Sequence, residues 1–119
     1  MVAKLNDYTA RNFETLKKAI RAHAKIAMGS DAVFTGFGEN TRELEWFVKG
    51  GMTPADAIAT ATTNAATLLG KEKELGAIAP GYFADIIAVE GDPLTDIGAV
   101  INGVRWVMKS GKTVVDRHK

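Results

Sequence analysis

The stretch from Lys25 to Asp31 limits the possible folds more than any other part of this 119-residue chain. Residues 25–28 are a short, mostly apolar run that is followed by Gly-Ser and a single acid. A run of this length that ends at a breaker predicts a buried strand rather than a helix. Because helical patterns lie on both sides of it, the strand is predicted to belong to a parallel α/β unit.

Asp31 lies where this predicted strand ends, and the residues alone favour two interpretations of it. In parallel α/β proteins catalytic side chains collect at the carboxyl ends of strands, which indicates a catalytic role. Gly-Ser-Asp is also ordinary turn material, so Asp31 fits a role as a turn former equally well. The pattern leaves both interpretations open.

The segments on either side of the predicted strand carry helix signals. Residues 7–23 place apolar side chains at helical spacing, and His23 falls at the predicted end of that helix. Asn40-Thr41-Arg42-Glu43 has the form of a capping box, which predicts that Asn40 caps the next helix. Thr53 before a proline predicts a further helix start, and Asn64 is a candidate cap for one more turn.

After residue 70 the pattern changes from helices to strands and turns. Residues 85–89 are an apolar run of strand length, and 104–108 and 113–115 flank a Ser-Gly turn, which predicts a hairpin. Trp106 is predicted to be a core residue of this hairpin. The chain therefore divides into a helical α/β part, residues 1–70, and a small β part, residues 71–119.

Composition narrows the classes of function. The net charge is +1 and basic residues are scattered among acids, which predicts no nucleic-acid partner. No apolar run approaches the roughly 20 residues of a membrane span, and the N-terminal residues lack an apolar signal region, so no membrane association is expected. The absence of cysteine excludes disulfides and thiolate metal sites and favours a cytoplasmic location. With two histidines, a metal centre within this chain would depend almost wholly on carboxylates.

Three segments, in this order, resemble the C-terminal portion of the metal-dependent amidohydrolases. The resemblance is to the branch of imidazolonepropionase-like hydrolases, Xaa-Pro dipeptidases and arginine carboxypeptidases. Residues 28–32, Met-Gly-Ser-Asp-Ala, are similar to the end of the eighth barrel strand, and residues 50–66 to the helices that follow it. Residues 76–87, with Gly-Asp-Pro-Leu at 91–94, are similar to the return of the chain into a small β-sandwich.

The resemblance implies an α/β fold that contains the last strand and flanking helices of a (β/α)8 barrel plus strands of the β-sandwich. It implies hydrolysis of a peptide or amide C–N bond, of dipeptidase or carboxypeptidase type, with Zn2+ or another divalent metal. Asp31 corresponds to the last-strand acid, which is implied to be both metal ligand and proton shuttle. Glu39 and Asn40, in the following loop, are implied candidates for substrate contact, although helix capping explains Asn40 as well or better.

The other metal ligands of such enzymes lie on barrel strands that this sequence does not contain. They are a His-x-His pair on the first strand, a Lys or Glu on a middle strand and histidines on the fifth and sixth. The resemblance therefore implies that this chain alone binds no metal and is inactive. Its implied partners are the missing N-terminal barrel portion and, in the intact enzyme, a small peptide or amide substrate.

Two alternatives to a catalytic role are open. An excised barrel portion leaves strand edges and apolar faces uncovered, which predicts a non-catalytic folding or oligomerisation module and favours a homo-oligomer. A weaker alternative is a small binding protein that uses the Gly-rich loop at 35–40. It is weaker because neither of the common phosphate-loop patterns is complete there.

Overall fold

The computed structural model describes residues 2–31, 36 and 38–117, with the side chains of the first helix from Asp7 onward. No helix among these residues is both long and apolar enough to cross a membrane. The elements in chain order are α1 (Val2–Arg21), a 3-10 turn (Asn40–Arg42), α2 (Glu43–Lys49), α3 (Pro54–Ala61), α4 (Thr63–Leu68), β1 (Ile86–Val89), α5 (Gly98–Asn102), β2 (Val104–Lys109) and β3 (Lys112–Asp116).

Helix α1 begins earlier than predicted, at Val2 rather than at Asp7, and it ends as predicted next to His23. His23 has a left-handed backbone, with φ of 51°. The N–H of Ala24 donates to the carbonyl of Ala19 at 3.0 Å, a hydrogen bond that reaches back across the last turn of the helix. This is the Schellman arrangement that commonly terminates helices, so the prediction that His23 marks the helix boundary is confirmed.

Residues 25–28, predicted to be a buried strand, do not form a strand with any other described residues. The N–H of Met28 donates instead to the carbonyl of Thr60 at 2.9 Å, and the side-chain amide of Asn64 donates to the carbonyl of Ile26 at 3.0 Å. The prediction was wrong because a strand requires a hydrogen-bonded partner strand as well as an apolar sequence. The prediction that Asn64 caps a helix was also wrong, since its amide is used by Ile26.

Helix α3 begins as the sequence predicted. The hydroxyl of Thr53 accepts the N–H of Asp56 at 3.1 Å and donates to the Asp56 carboxylate at 2.7 Å, and Pro54 occupies the first turn. The predicted capping box at Asn40 does not form, since neither the 3-10 turn nor α2 has a side-chain cap. The capping box does not form because the side chain of Asn40 bonds to Ser30, ten residues earlier in the chain, instead of to its own helix start.

The hydrophobic core joins the two parts of the chain. Leu44 and Phe47 of α2 pack with Ala57 of α3 and with Ile97, which directly precedes α5, and all four are buried. Neither α5 nor the position of Ile97 was predicted from the sequence. The side chains of residues 26 and 28 pack against this core and hold their segment against the helices. The partly buried residues around the core are Leu16, Ile26, Met28, Val48, Met52, Ile58, Val100 and Ile101.

The β part is a three-stranded antiparallel sheet in the order β1-β2-β3. The predicted hairpin is confirmed: Ser110 and Gly111 both have left-handed backbones, with φ of 50° and 77°, as a two-residue type I′ turn requires. Trp106 pairs across the sheet with Ala88 and is half-buried. The prediction that Trp106 is a core residue was too strong, because the packing around this short sheet leaves part of the ring exposed.

Asp85 fastens the hairpin turn to the chain just before β1. Its carboxylate accepts the N–H of Ser110 at 2.7 Å and a charged hydrogen bond from the Lys109 ammonium. The hydrogen bond from the Lys109 ammonium, followed by the one from Ser110, lowers the pKa of Asp85 below the ordinary aspartate value.

Candidate functional site

Asp31 stands at the end of the segment that residues 25–30 form, with its side chain exposed. Its backbone is left-handed, with φ of 43°, a conformation that aspartate tolerates better than most residues. No described residue donates a hydrogen bond to its carboxylate or forms an ion pair with it. The left-handed φ is compatible with the turn interpretation without establishing a turn, and the carboxylate is left available to a group from outside the described residues.

The structure brings Asn40 close to Asp31 in space. The side-chain amide of Asn40 donates to the Oγ of Ser30 at 2.8 Å, so the chain returns, ten residues later, to the residue that precedes Asp31. The carboxylate of Glu39 lies 3.5 Å from the Nε of Arg42, and both side chains are exposed. Of the two predicted substrate contacts, Asn40 thus reaches the site through Ser30, and Glu39 forms an ion pair along its own turn.

Part of the connecting loop falls outside the described residues. Residues 32–35 and 37 belong to this part, so the predicted binding loop at 35–40 is described only at residues 36 and 38–40. The candidate site around Asp31 therefore includes described residues only.

His23 lies at the other end of the segment from Asp31. It lines a cavity of about 370 Å3 together with Thr53, Asp56 and Asn64, and Asp31 is not among the residues that line this cavity. The structure therefore does not bring His23 and Asp31 together as ligands of one site.

The described residues do not fit a metal ion by themselves. Among them, no three or more His, Asp or Glu side chains cluster closely enough to hold an ion. Zinc sites in proteins use three or four protein ligands, and this part of the chain offers one carboxylate at Asp31. A metal at Asp31 would need further ligands from outside this part of the chain.

The segment before Asp31 has backbone groups without partners among the described residues. The carbonyl of Ile26 and the N–H of Met28 bond to the junction of α3 and α4, whereas the backbone groups of Lys25 and Ala27 have no hydrogen-bond partner in this part of the chain. An open cavity of about 600 Å3 lies beside them and is also lined by Leu68, which is 76% exposed. This face offers hydrogen-bonding groups and apolar surface to another polypeptide segment.

Comparison with known proteins places the chain in one family. Residues 1–114 match the amidohydrolase family. Ochratoxinase from Aspergillus niger is 39% identical over 114 residues, which make up 92% of this chain and 23% of that protein. Imidazolonepropionase from Shouchella clausii is 36% identical over 67 residues, 55% of this chain and 15% of that protein.

Solved structures agree with the sequence matches. A Xaa-Pro dipeptidase with methionine bound in its active site matches with a TM-score of 0.82 and 40% identity, over 87% of this chain and 25% of that one. The crystal structure of A. niger ochratoxinase matches with a TM-score of 0.81 and 35% identity, over 98% of this chain and 28% of that one. These matches confirm the predicted α/β fold class.

The chain spans about a quarter of the length of these relatives. The family match nevertheless covers nearly all of the residues present, including the helices, the segment that ends at Asp31 and the three-stranded sheet. The chain belongs to the amidohydrolase family and corresponds to a part of the longer enzymes.

Proposed function

We propose that this chain is the C-terminal portion of a metal-dependent amidohydrolase that hydrolyses a peptide or amide C–N bond, with Asp31 as metal ligand and proton shuttle. The observation that carries the proposal is the position of Asp31, whose exposed carboxylate ends the segment 25–30 and has no partner among the described residues. In (β/α)8 barrels the active site lies at the carboxyl ends of the strands. We propose that residues 25–28, which have no partner strand among the described residues, take the place of the last barrel strand when the rest of the barrel is present.

The role proposed for Asp31 follows from the chemistry of a carboxylate. Its two oxygens allow it to accept the proton of an attacking water on one oxygen while the other keeps the group oriented. The same group then delivers the proton to the leaving nitrogen, so that it acts first as general base and then as general acid. Because no described residue forms a hydrogen bond or ion pair with Asp31, both oxygens are available for this work.

The relatives favour a small peptide or amide substrate, of dipeptidase type. One is named a Xaa-Pro dipeptidase, and the ochratoxinase and imidazolonepropionase matches add further hydrolases to the comparison. We propose Zn2+ as the metal, with its remaining ligands supplied by the barrel portion that this chain does not span. Glu39 is the better candidate for substrate contact, because the amide of Asn40 already bonds to Ser30.

A second candidate function is a non-catalytic folding or oligomerisation module. The backbone of Lys25 and Ala27, which has no partner among the described residues, and the adjacent cavity of about 600 Å3 support it, since open backbone edges beside apolar surface promote association. We expect a homo-oligomer in this case. Size-exclusion chromatography with light scattering tests it, and a stable monomer at high concentration would count against it.

The catalytic proposal is tested by assembling the chain with an N-terminal barrel portion of a homologous amidohydrolase through co-expression. We expect no turnover of X-Pro or acyl-arginine substrates by the chain alone and measurable turnover by the assembly. Asp31→Asn should lower kcat in the assembly by at least about a hundredfold, because an amide cannot carry the proton.

The matched control is Glu72→Gln, which removes one exposed carboxylate from the charged turn after α4 and should leave kcat unchanged. Full activity of the Asp31→Asn assembly would refute the role of Asp31. Stoichiometric zinc bound by the chain alone would refute the conclusion that its own ligands are too few.

A further inference from the structure

We infer that Ser30 and Asn40 form a clasp that positions Asp31, so that Asn40 is a positioning residue for the reaction rather than a substrate contact or a helix cap. The inference rests on the proposed function of Asp31 and adds to it two residues that hold the carboxylate in place. Hydrogen bonds and packing on each side of the clasp support it.

The clasp is the hydrogen bond from the Asn40 amide to the Oγ of Ser30, at 2.8 Å. Asn40 stands at the start of a 3-10 turn, where an asparagine commonly caps the backbone, yet its side chain caps neither that turn nor α2. Within the described part of the chain, the only hydrogen bond of this side chain is the one to Ser30. The side chain of Asn40 therefore bonds to Ser30, ten residues away, instead of capping its own helix start.

Each side of the clasp is anchored to the same core by a different route. The turn at Asn40 runs directly into α2, whose Leu44 is 1% exposed and central to the core. On the other side, Met28 packs against that core and its N–H bonds to the carbonyl of Thr60 at 2.9 Å. The clasp thus joins two anchored segments, and Asp31 directly follows Ser30, the residue of the clasp on one of them.

Asp31 needs such a restraint because little else among the described residues holds it. Its left-handed backbone, with φ of 43°, is sparsely populated by side-chain-bearing residues and persists where the surroundings impose it. A change in the backbone at residue 30 or 31 would swing the carboxylate away from its place. A displacement of about 1 Å at a reacting group can reduce a rate on the order of a hundredfold.

The first experiment measures the restraint without any activity. The 15N order parameter of Asp31, recorded by NMR on this chain, should be near the rigid value of about 0.85 and fall towards about 0.6 in Asn40→Ala and in Ser30→Ala. The double variant should fall no further than either single variant, because both changes remove the same bond. Ser30→Thr keeps the hydroxyl and should keep the rigid value.

Asn12→Ala is the matched control, since it truncates another exposed asparagine, on α1, for which the structure shows no hydrogen bond among the described residues. It should leave the order parameter of Asp31 unchanged. An unchanged order parameter in both Asn40→Ala and Ser30→Ala would overturn the inference, whatever Asp31 itself does.

The second experiment separates positioning from substrate contact in the co-expressed assembly. Asn40→Ala and Ser30→Ala should each lower kcat by roughly tenfold to a hundredfold with KM within about twofold, and Ser30→Thr should restore kcat. A raised KM with unchanged kcat in Asn40→Ala would overturn the inference in favour of a substrate contact. If Asp31→Asn keeps full activity, the proposed function fails, and the order parameters still decide whether the clasp exists.

Discussion

Residues 25–28 and strand β1 are both four-residue, largely apolar runs, and they have different outcomes. Strand β1, Ile86–Val89, pairs along its length with β2 in antiparallel orientation, with one shift of register between Ala88 and Val89. Residues 25–28 have no strand partner among the described residues and bond to the junction of α3 and α4 instead. The two segments would be assigned alike from hydrophobicity and length alone.

The difference lies in what each segment can reach. Strands β2 and β3 are joined by a two-residue turn, and only the short helix α5 lies between β1 and β2, so their pairing closes short loops at small entropic cost. Among the described residues, three α-helices lie between residues 25–28 and strand β1, and the core packs residues 25–28 against two of those helices. An apolar run of strand length becomes a strand only where a partner edge is available.

The largest effect is expected from Leu44→Ala, which attacks the core that holds residues 25–28 in place. Leu44 is 1% exposed, so the truncation should lower the free energy of unfolding by about 2–5 kcal/mol. Urea denaturation measures it, with Leu68→Ala as the matched control; Leu68 is 76% exposed and its truncation should cost less than about 0.5 kcal/mol. Equal effects of the two variants would contradict the assigned core.

The two tryptophans allow the same experiment to compare the regions directly. Trp46 lies in α2 and Trp106 in β2, so Trp46→Phe leaves a fluorophore in the sheet alone, and Trp106→Phe leaves one in the helices alone. Because Ile97 joins the sheet part to the helical core, both probes should report one midpoint. Two separate midpoints would show that the parts 1–70 and 71–119 unfold independently.

The next effect is expected at Gly76, where the β part touches the helices. Its φ is +85°, and a Cβ there would lie 2.7 Å from the carbonyl oxygen of Thr62, at the break between α3 and α4. Gly76→Ala should therefore destabilise by about 1–3 kcal/mol through strain and displacement of backbone. Thermal denaturation measures this, with Gly70→Ala as the control. At Gly70 φ is +65° but no described atom lies within 4 Å of the added Cβ, so only backbone strain should destabilise this variant, and by less. A loss at Gly70 as large as at Gly76 would refute the close approach.

A smaller effect is expected from Asn64→Ala, which releases the carbonyl of Ile26. The loss of one hydrogen bond should cost about 0.5–1.5 kcal/mol, and the amide of Met28 should exchange its hydrogen about fivefold faster as the segment loosens. Hydrogen exchange followed by NMR measures both, with Asn12→Ala as control. If the Met28 amide is as protected as before, the segment is held by its side chains alone.

The smallest effect is expected at Asp85, on the surface of the sheet. The hydrogen bond from Lys109 is the first cause that lowers the pKa of Asp85 in the folded protein. The ionised carboxylate therefore stabilises the fold above the ordinary aspartate pKa. This stabilisation is lost as the pH falls through the pKa of Asp85 in the folded protein. Below about pH 4 the wild type should therefore lose more stability than Asp85→Asn, and the two should converge at lower pH. Chemical denaturation across this range tests the sign, and parallel curves for the two proteins would refute it.

Interactions between near neighbours were predicted well from the sequence. The Thr53 cap, the end of α1 at His23 and the Ser110–Gly111 hairpin turn all depend on backbone geometry within a few residues, which residue type largely decides. Asn40 and Asn64 were assigned to the nearest helix start for the same reason. Their actual partners lie 10 and 38 residues away, and local preference carries no information about contacts at that separation.

The sequence by itself determined that Asp31 follows an apolar segment between helices and that the chain resembles amidohydrolases. Both features depend only on which residues follow one another along the chain. The tertiary structure alone decided that residues 25–28 have no partner strand in the described part of the chain, that Ile97 completes the core and that Asn40 bonds to Ser30 beside Asp31. The physical reason is that hydrogen bonds and apolar contacts between distant residues depend on how all the elements pack, and each residue takes the best partner that packing brings within reach.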